Sequence, residues 1–388
     1  MNPISVYVHI PFCTIKCGYC DFNAYAGMDA LKAAYGEALV RQVRANAPLL
    51  SGRSIRSVGF GGGTPGEVPA SQVGRVLEAL HELAEWEAEA EVTLEVNPAT
   101  TGRTALRELR AAGVNRLSIG AQSFHTDELR FLDRIHSADA TAAAVELARE
   151  AGFERISLDL IYGLPGQQME RWEETLVAAV ETGAGHISTY ALTVEEGTPL
   201  ARRVAAGEVI PLDEDAFAAM YERTTDVLEA EGFRQYELSN WARPGEFSRH
   251  NSIYWTDGEY LAIGAGAHGY VAGERYENIA HPREYIRAVT EGAGTHRPAL
   301  ASAYVPDAVT AMADWLSLRL RLLGGFAATE FERRFGVSVE SSAGAVLREC
   351  AAAGVLEYGD VTRLTRAGRL LHGEVSARLL AHLRANAS

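Results

Sequence analysis

A chain of 388 residues, 47% of them hydrophobic and with a net charge of -15, is long enough for one large core with a smaller domain beside it. The acidic balance, without any block of lysine or arginine, excludes a nucleic-acid footprint; no run of roughly 18 apolar residues offers a transmembrane segment, so only peripheral membrane contact stays open. The opening MNPISVYVHI lacks the basic stretch and apolar core of a secretion signal, so the expected location is cytoplasmic.

The first predicted strand, SVYVHI (5–10), runs into CTIKCGYC, which sets Cys13, Cys17 and Cys20 in a C-x3-C-x2-C loop. A helix is predicted over 28–46, then strand SVGF (57–60) ending at GGGTP, a helix over 71–86, and strand EVTLEV (91–96) ending at NP. A helix over 101–112 leads to strand RLSIG (116–120) and QSF. A helix over 138–151 leads to strand RISLDLIY (155–162) and GLPG, and a last one over 169–182 to strand HISTYAL (186–192). Strand and helix alternating every roughly 25 to 40 residues predict an α/β fold whose parallel strands form a full or partial barrel. In that architecture the loops after the strands converge on one mouth, and the distinctive residues fall in those loops.

After about residue 300 the pattern changes. Helical runs at 307–322, 327–335 and 340–353 precede GVLEYGDVTRLTRAGRLL, an arrangement of three helices and a two-stranded wing like a winged helix. Its third helix lacks a basic patch, so a structural or protein-interaction lid is expected. The division that follows is a barrel over 1–242, a connecting segment over 243–300 and a smaller C-terminal domain over 301–388. Cys350, alone in LRECAAAGVL, is expected as a small buried helix residue.

Three of the four cysteines lie close together, which argues for a reduced compartment and metal chemistry over a disulfide framework. Structural zinc takes four ligands in two close pairs; no second pair follows, and His9 sits in strand alternation. A redox dithiol needs only C-x2-C and leaves Cys13 unexplained. A [4Fe-4S] cube held by three cysteines leaves one iron open to a substrate. The glycines of GGGTP let a main chain approach a ligand without a Cβ clash, although a triple glycine alone is an ordinary turn.

The cysteine loop after the first strand, with a glycine-rich turn after the second, resembles the radical S-adenosylmethionine (SAM) superfamily. YVHIPFC, FGGGTP, LEVNP, LSIGAQSF, DLIYGLPGQ and QYELSNWA, in that order over most of 5–242, are similar to its coproporphyrinogen III oxidase-like family. The resemblance implies that Cys13, Cys17 and Cys20 hold a [4Fe-4S] cluster and that SAM chelates the open iron. An electron passed in from a donor then splits SAM into methionine and a 5'-deoxyadenosyl radical. It further implies that Tyr7, Gly62 and Glu95 touch one SAM, and that Tyr19, Gly63, Thr64, Gln122, Arg134 and Asp159 match contacts to a second. Glu95 is suited to accept from ribose hydroxyls and Arg134 to pair with a carboxylate. Taken singly, each has a structural alternative, such as an Asp159 to Arg134 ion pair or a loop capped by Gln122.

The oxidase pattern is C-x3-C-x2-C-x-C, and here Phe22 takes the last position, as in the HemW branch of haem chaperones. Only twelve residues precede Cys13, where the oxidase carries an extension. RHNSIYW (249–255) contains the H-N-x-x-Y-W motif associated with haem in that branch. The resemblance implies His250 as axial ligand, with Asn251, Tyr254 and Trp255 beside the porphyrin; the alternative is a satisfied loop histidine with its aromatics in a core. The implied role is delivery of haem to haem-requiring respiratory proteins. The alternative is oxygen-independent coproporphyrinogen III oxidase, which turns two propionates into vinyl groups, followed by a radical methyltransferase or haem-degrading relative.

Overall fold

The computed structural model describes residues 2–100 and 102–386. Strand β1 (Asn2–Ile10) is buried on both faces along most of its length, as strands within a parallel sheet are. Strands β2 (Arg53–Gly62), β3 (Glu85–Val96), β4 (Arg116–Gln122), β5 (Arg155–Tyr162) and β6 (His186–Ala191) follow in the same spatial order, each parallel to the one before. Val6, Val8, Val58, Phe60, Leu94, Leu117, Ile119, Leu158 and Ile187 from these strands are almost wholly buried in one core.

Helices α1 (Lys32–Ala45), α2 (Ala70–His81), α3 (Arg103–Ala111), α4 (Ala140–Glu150) and α5 (Met169–Glu181) make the crossovers. Val73, Val76, Leu77 and Leu80, three and four residues apart, give α2 the apolar stripe it buries. Trp172 of α5 is fully buried and satisfies its indole N–H on Thr224 Oγ1 at 2.8 Å. The strand order is linear, so among the described residues the α/β sheet is a partial barrel.

Three features differ from the sequence expectation. Strand β3 starts at Glu85, inside the predicted helix 71–86, because EWEAEAEV alternates with a period of two. Helix α3 covers 103–111 of the predicted 101–112, residue 101 lying outside the described residues. Residues assigned to a connector build sheet instead. After β7 (Asn240–Ala242), which borders β6, strand β8 (Tyr260–Ile263) runs parallel to β1 with Ala262 opposite Tyr7. Strands β9 (His268–Val271) and β10 (Glu274–Asn278) continue antiparallel, and β11 (Leu300–Tyr304) ends the sheet. These strands are short and separated by Gly264, Gly266 and Gly273, all at positive φ, so they carry little periodicity to read.

Residues 235–240, 251–258 and 304 onward form a second compact unit. Its helices Ala308–Arg321, Ala328–Phe335, Val339–Ala352 and His372–Ala385 accompany a small sheet of Phe326–Ala327, Val361–Leu364 and Leu356–Glu357. Asp307, Ser338 and Thr365 accept backbone N–H groups as helix caps. Trp315 packs edge-on to Phe326 and Phe331, with centroids 5.1 and 5.5 Å away, and Cys350 is buried on its helix.

Candidate cluster and SAM site

Beyond Ile10 the short parallel strands Phe12–Cys13 and Tyr25–Ala26 bracket the cysteine loop. Thr14 donates to Glu67 Oε1 through its N–H (3.1 Å) and hydroxyl (2.9 Å), and the Gly18 N–H donates to Asp133 Oδ2 at 3.0 Å. Asn23 donates to the carbonyls of Ala265 (3.0 Å) and Ala280 (2.9 Å). The loop is therefore tied to three separate parts of the first unit.

The FGGGTP turn lies directly against it. The N–H groups of Gly63 and Thr64 donate to the carbonyls of Ile10 and Phe12, both at 2.8 Å. A Cβ on Gly63 would come 2.6 Å from the Phe12 carbonyl oxygen and 3.0 Å from Cys13 Sγ, so only glycine lets the turn pack there. The Gly62 N–H, at φ +113, donates to Glu95 Oε2 at 3.3 Å. With these N–H groups engaged, the turn meets an incoming amino group with its carbonyl oxygens.

Cys13, Cys17 and Cys20 line one opening with Gly62, Gly63, Thr64 and Arg134. Three soft sulfur donors suit three corners of a [4Fe-4S] cube. Among the described residues no three cysteine, histidine or carboxylate side chains converge as for a single ion. A cube puts each thiolate on a different iron and needs no such convergence. His9 is already engaged at both ring nitrogens, by the Tyr7 hydroxyl and the Asn23 carbonyl, each at 2.9 Å. Burial raises the Cys13 thiol to about 11, the Thr64 hydroxyl working against it, and burial raises Cys20 as well. Metal binding reverses that balance by taking the thiolate form.

Beside this opening is a cavity of about 400 Å³, lined by Tyr19, Gly62, Gly63, Thr64, Glu95, Gln122, Arg134 and Asp159. Tyr7, also expected to touch SAM, stands behind the turn, its ring 3.1 Å from where a Cβ on Gly61 would sit. Glu95 faces Ser118 in the strand register, and Ser118 Oγ donates to Asp159 Oδ2 at 2.8 Å. Both carboxyls keep an edge on the cavity while protein surrounds them elsewhere. Burial, with Asp159 next in effect, pushes Glu95 up to about 8 against the Gly62 N–H. Burial also raises Asp159, opposed by Ser118, Ser188, Arg116 and Arg134. Two carboxyls raised by burial in one cavity and short of cationic partners suit a cationic ligand, such as a sulfonium with an ammonium group, that would stabilise their ionised forms. Arg134 donates to the Gly120 carbonyl at 2.8 Å and approaches Cys17 Sγ at 3.8 Å, while its buried Nε has no hydrogen-bond partner. A carboxylate would satisfy it.

Sequence reasoning did not single out Asn23, Glu67, Asp133 or His136. Of these only Glu67 carries a local signal, following GGGTP by two residues. Phe22 is 62% exposed and stands on the cavity wall.

In the H-N-x-x-Y-W segment the histidine has the partners of the satisfied alternative. His250 is buried in the first unit, with Nδ1 2.8 Å from Ser57 Oγ and its N–H on Glu91 Oε1 at 3.0 Å. A Cβ on Gly59 would lie 2.4 Å from its Nε2, so both ring nitrogens face the sheet. Burial lowers it to about 4, Glu91 acting against the shift. As folded here, the imidazole is closed to a haem iron. Asn251, Tyr254 and Trp255 are half-buried in the second unit, where the Arg321 guanidinium lies 4.2 Å from the Trp255 ring.

A three-cysteine loop after β1, a glycine turn after β2 and acids at the ends of β3 and β5 define a radical SAM protein. The pattern of the radical SAM superfamily matches residues 7–179, and that of the HemN C-terminal domain matches 310–371. The heme chaperone HemW of Mycobacterium tuberculosis is 38% identical over 383 residues, covering 98% of this chain and 95% of that protein. That of Bacillus subtilis is 33% identical over 381 residues, covering 98% and 100%. The chain belongs to the HemW family of the radical SAM superfamily. Its fold is also similar to the solved structure of coproporphyrinogen III oxidase (HemN) from Escherichia coli, with a TM-score of 0.85 over 98% of this chain and 91% of that one, at 24% identity. Membership of the superfamily implies a [4Fe-4S] cluster and SAM. Among the described residues no helix is long and apolar enough to cross a membrane.

Proposed function

We propose that this chain is a cytoplasmic haem chaperone that binds a [4Fe-4S] cluster through Cys13, Cys17 and Cys20, SAM in the adjoining cavity, and haem as cargo for haem-requiring respiratory proteins. Full-length similarity to relatives named heme chaperone HemW carries the reading. Phe22, in place of a further thiol, supports it. When bound, the cluster supplies an electron, received from an external donor, to SAM. The protein's own part is to orient SAM: Glu95 takes the ribose hydroxyls and the glycine turn the amino group of the SAM at the cluster, while Arg134 is placed to pair with the carboxylate of a second. The haem seat is assigned to the segment carrying His250, Asn251, Tyr254 and Trp255, and iron ligation by His250 requires its bond to Ser57 to open.

The fold shared with HemN favours oxygen-independent coproporphyrinogen III oxidase as a second reading. Anaerobic incubation of the cluster-loaded protein with coproporphyrinogen III, SAM and reductant, beside a haem titration of the same preparation, separates the two. Stoichiometric haem binding without decarboxylated product is expected. Protoporphyrinogen in the incubation would overturn the chaperone reading.

A further inference from the structure

The cavity contains one strained backbone position, and part of its support comes from a residue not assigned to ligand binding. Strand β4 ends in a bulge: Ile119 pairs with Leu158, but Gln122 pairs with Leu160, so one extra residue is accommodated. Gln122 leaves the bulge at φ 66, a left-handed conformation unusual for a residue with a side chain. Two successive bulge carbonyls are held by one segment. Arg134 Nη2 donates to Gly120 O at 2.8 Å, and His136 Nε2 is 3.0 Å from Ala121 O. A Cβ on Gly120 would come 2.9 Å from Gln122 Nε2 and 3.1 Å from Arg134 Nη2, so both side chains fold closely over the bulge.

A carbonyl can only accept, so His136 carries its hydrogen on Nε2, leaving Nδ1 bare; that atom is buried without a hydrogen-bond partner. Burial, aided by Arg134, lowers this imidazole to about 4, which keeps the donor tautomer neutral throughout the physiological range. The Ala121 carbonyl also accepts from the Ser123 N–H at 2.8 Å, closing a tight turn around Gln122.

We infer that His136 is a positioning residue: its Nε2–H fixes the Ala121 carbonyl, and so the left-handed Gln122, presenting the Gln122 amide to the ligand cavity beside Arg134. The inference rests on the reading of that cavity as a SAM site. Glutamine places an amide donor where histidine places Nε2, whereas asparagine is too short to reach, so the two substitutions separate the hydrogen bond from mere polarity.

The test uses cluster-loaded full-length protein with His136→Gln and His136→Asn, read by SAM titration and by amide hydrogen exchange of the peptide spanning 119–124. H136N is expected to weaken SAM binding about tenfold, the scale of one lost buried hydrogen bond, and to speed exchange in that peptide while the 155–162 peptide is unchanged. H136Q should stay within about threefold of the parent. Q122A should weaken SAM as H136N does, and the double variant no further. Equal behaviour of H136N and H136Q in the exchange experiment would overturn the positioning role, whether or not SAM binds. A parent that takes up no SAM, with exchange still separating the two variants, would overturn the SAM reading and leave the clamp standing.

Discussion

Glu91 and Glu95 sit four residues apart on one face of β3, identical in chemistry and opposite in circumstance. Glu91 is 0% exposed, yet its carboxyl lies below the ordinary range. Burial pushes it up, but Arg116, Arg155 and the N–H groups of His250 and Arg249 outweigh that; the Arg155 guanidinium is 2.9 Å away. Glu95, with one N–H donor and Asp159 for a neighbour, is held at about 8. The strand thus carries a satisfied carboxylate at Glu91 and, four residues on, a carboxyl short of donors at Glu95. Completeness of the hydrogen bonds distinguishes the structural acid from the acid waiting for a ligand.

Glu91→Ala is the largest expected disturbance. It takes the buried carboxylate from the Arg155 guanidinium and leaves the N–H groups of Arg249 and His250 without that acceptor, and a loss of about 3–5 kcal/mol is expected in denaturant unfolding. Stability equal to the parent would mean that Glu91 is not the keystone its contacts suggest. His250→Ala removes the other half of that cluster, leaving Ser57 without its imidazole partner, at a cost of about 1–3 kcal/mol. The haem absorption spectrum of the same variant decides its second role. An unchanged Soret position on haem loading would confine His250 to the fold, and a shifted one would show that the histidine leaves Ser57 to meet the iron.

At the other end of β3 the expected effect is on binding and depends on pH. The Glu95 carboxyl at about 8 is mostly protonated at neutral pH, whereas a cationic ligand favours its ionised form. Affinity for SAM should therefore rise with pH from 6 to 8, at most about tenfold per unit, with proton release, and level off above 8. Glu95→Gln should flatten the profile. Stability runs the opposite way. A raised acid holds its proton in the folded state, so Glu95 costs the ligand-free protein stability as pH climbs from 4.5 to about 8, and Glu95→Gln removes that share of the loss, leaving the share of Asp159. Glu91, being depressed, contributes stability above 4.5 that disappears only on acidification. A SAM affinity flat in pH for the parent would remove the contrast between the two glutamates.

Much of this was legible in the sequence because it is local. Cys13, Cys17 and Cys20 share one loop, FGGGTP is contiguous, and the six parallel strands announce themselves by buried runs ending in loops. What escaped depends on partners far along the chain. Asn23 reaches Ala265 and Ala280, across 242 and 257 residues, and Glu91 accepts from Ser248, Arg249 and His250, each more than 150 positions away. Nothing near Glu91 or His136 in the sequence says what each will meet. His250 shows the converse difficulty: the motif leaves ligand and satisfied histidine both open, and only the fold reveals Ser57 and Gly59 against its ring.

The smallest expected effect tests whether one side chain divides this family from the oxidase it resembles in fold. The backbone around Phe22 is held independently of its ring: its carbonyl accepts Lys16 Nζ at 3.0 Å and the Ala24 N–H at 2.6 Å. With the ring largely in solvent, Phe22→Cys should change stability by no more than about 0.5 kcal/mol. It restores the C-x3-C-x2-C-x-C spacing, yet the iron corners are already assigned to Cys13, Cys17 and Cys20. Iron and sulfide content per chain should stay at the parent value, and coproporphyrinogen III should remain unconverted by the variant with SAM and reductant. Vinyl product from Phe22→Cys alone would locate the division between chaperone and oxidase in a single thiol. Its absence, with the cluster intact, places that division in how the rest of the chain receives a tetrapyrrole.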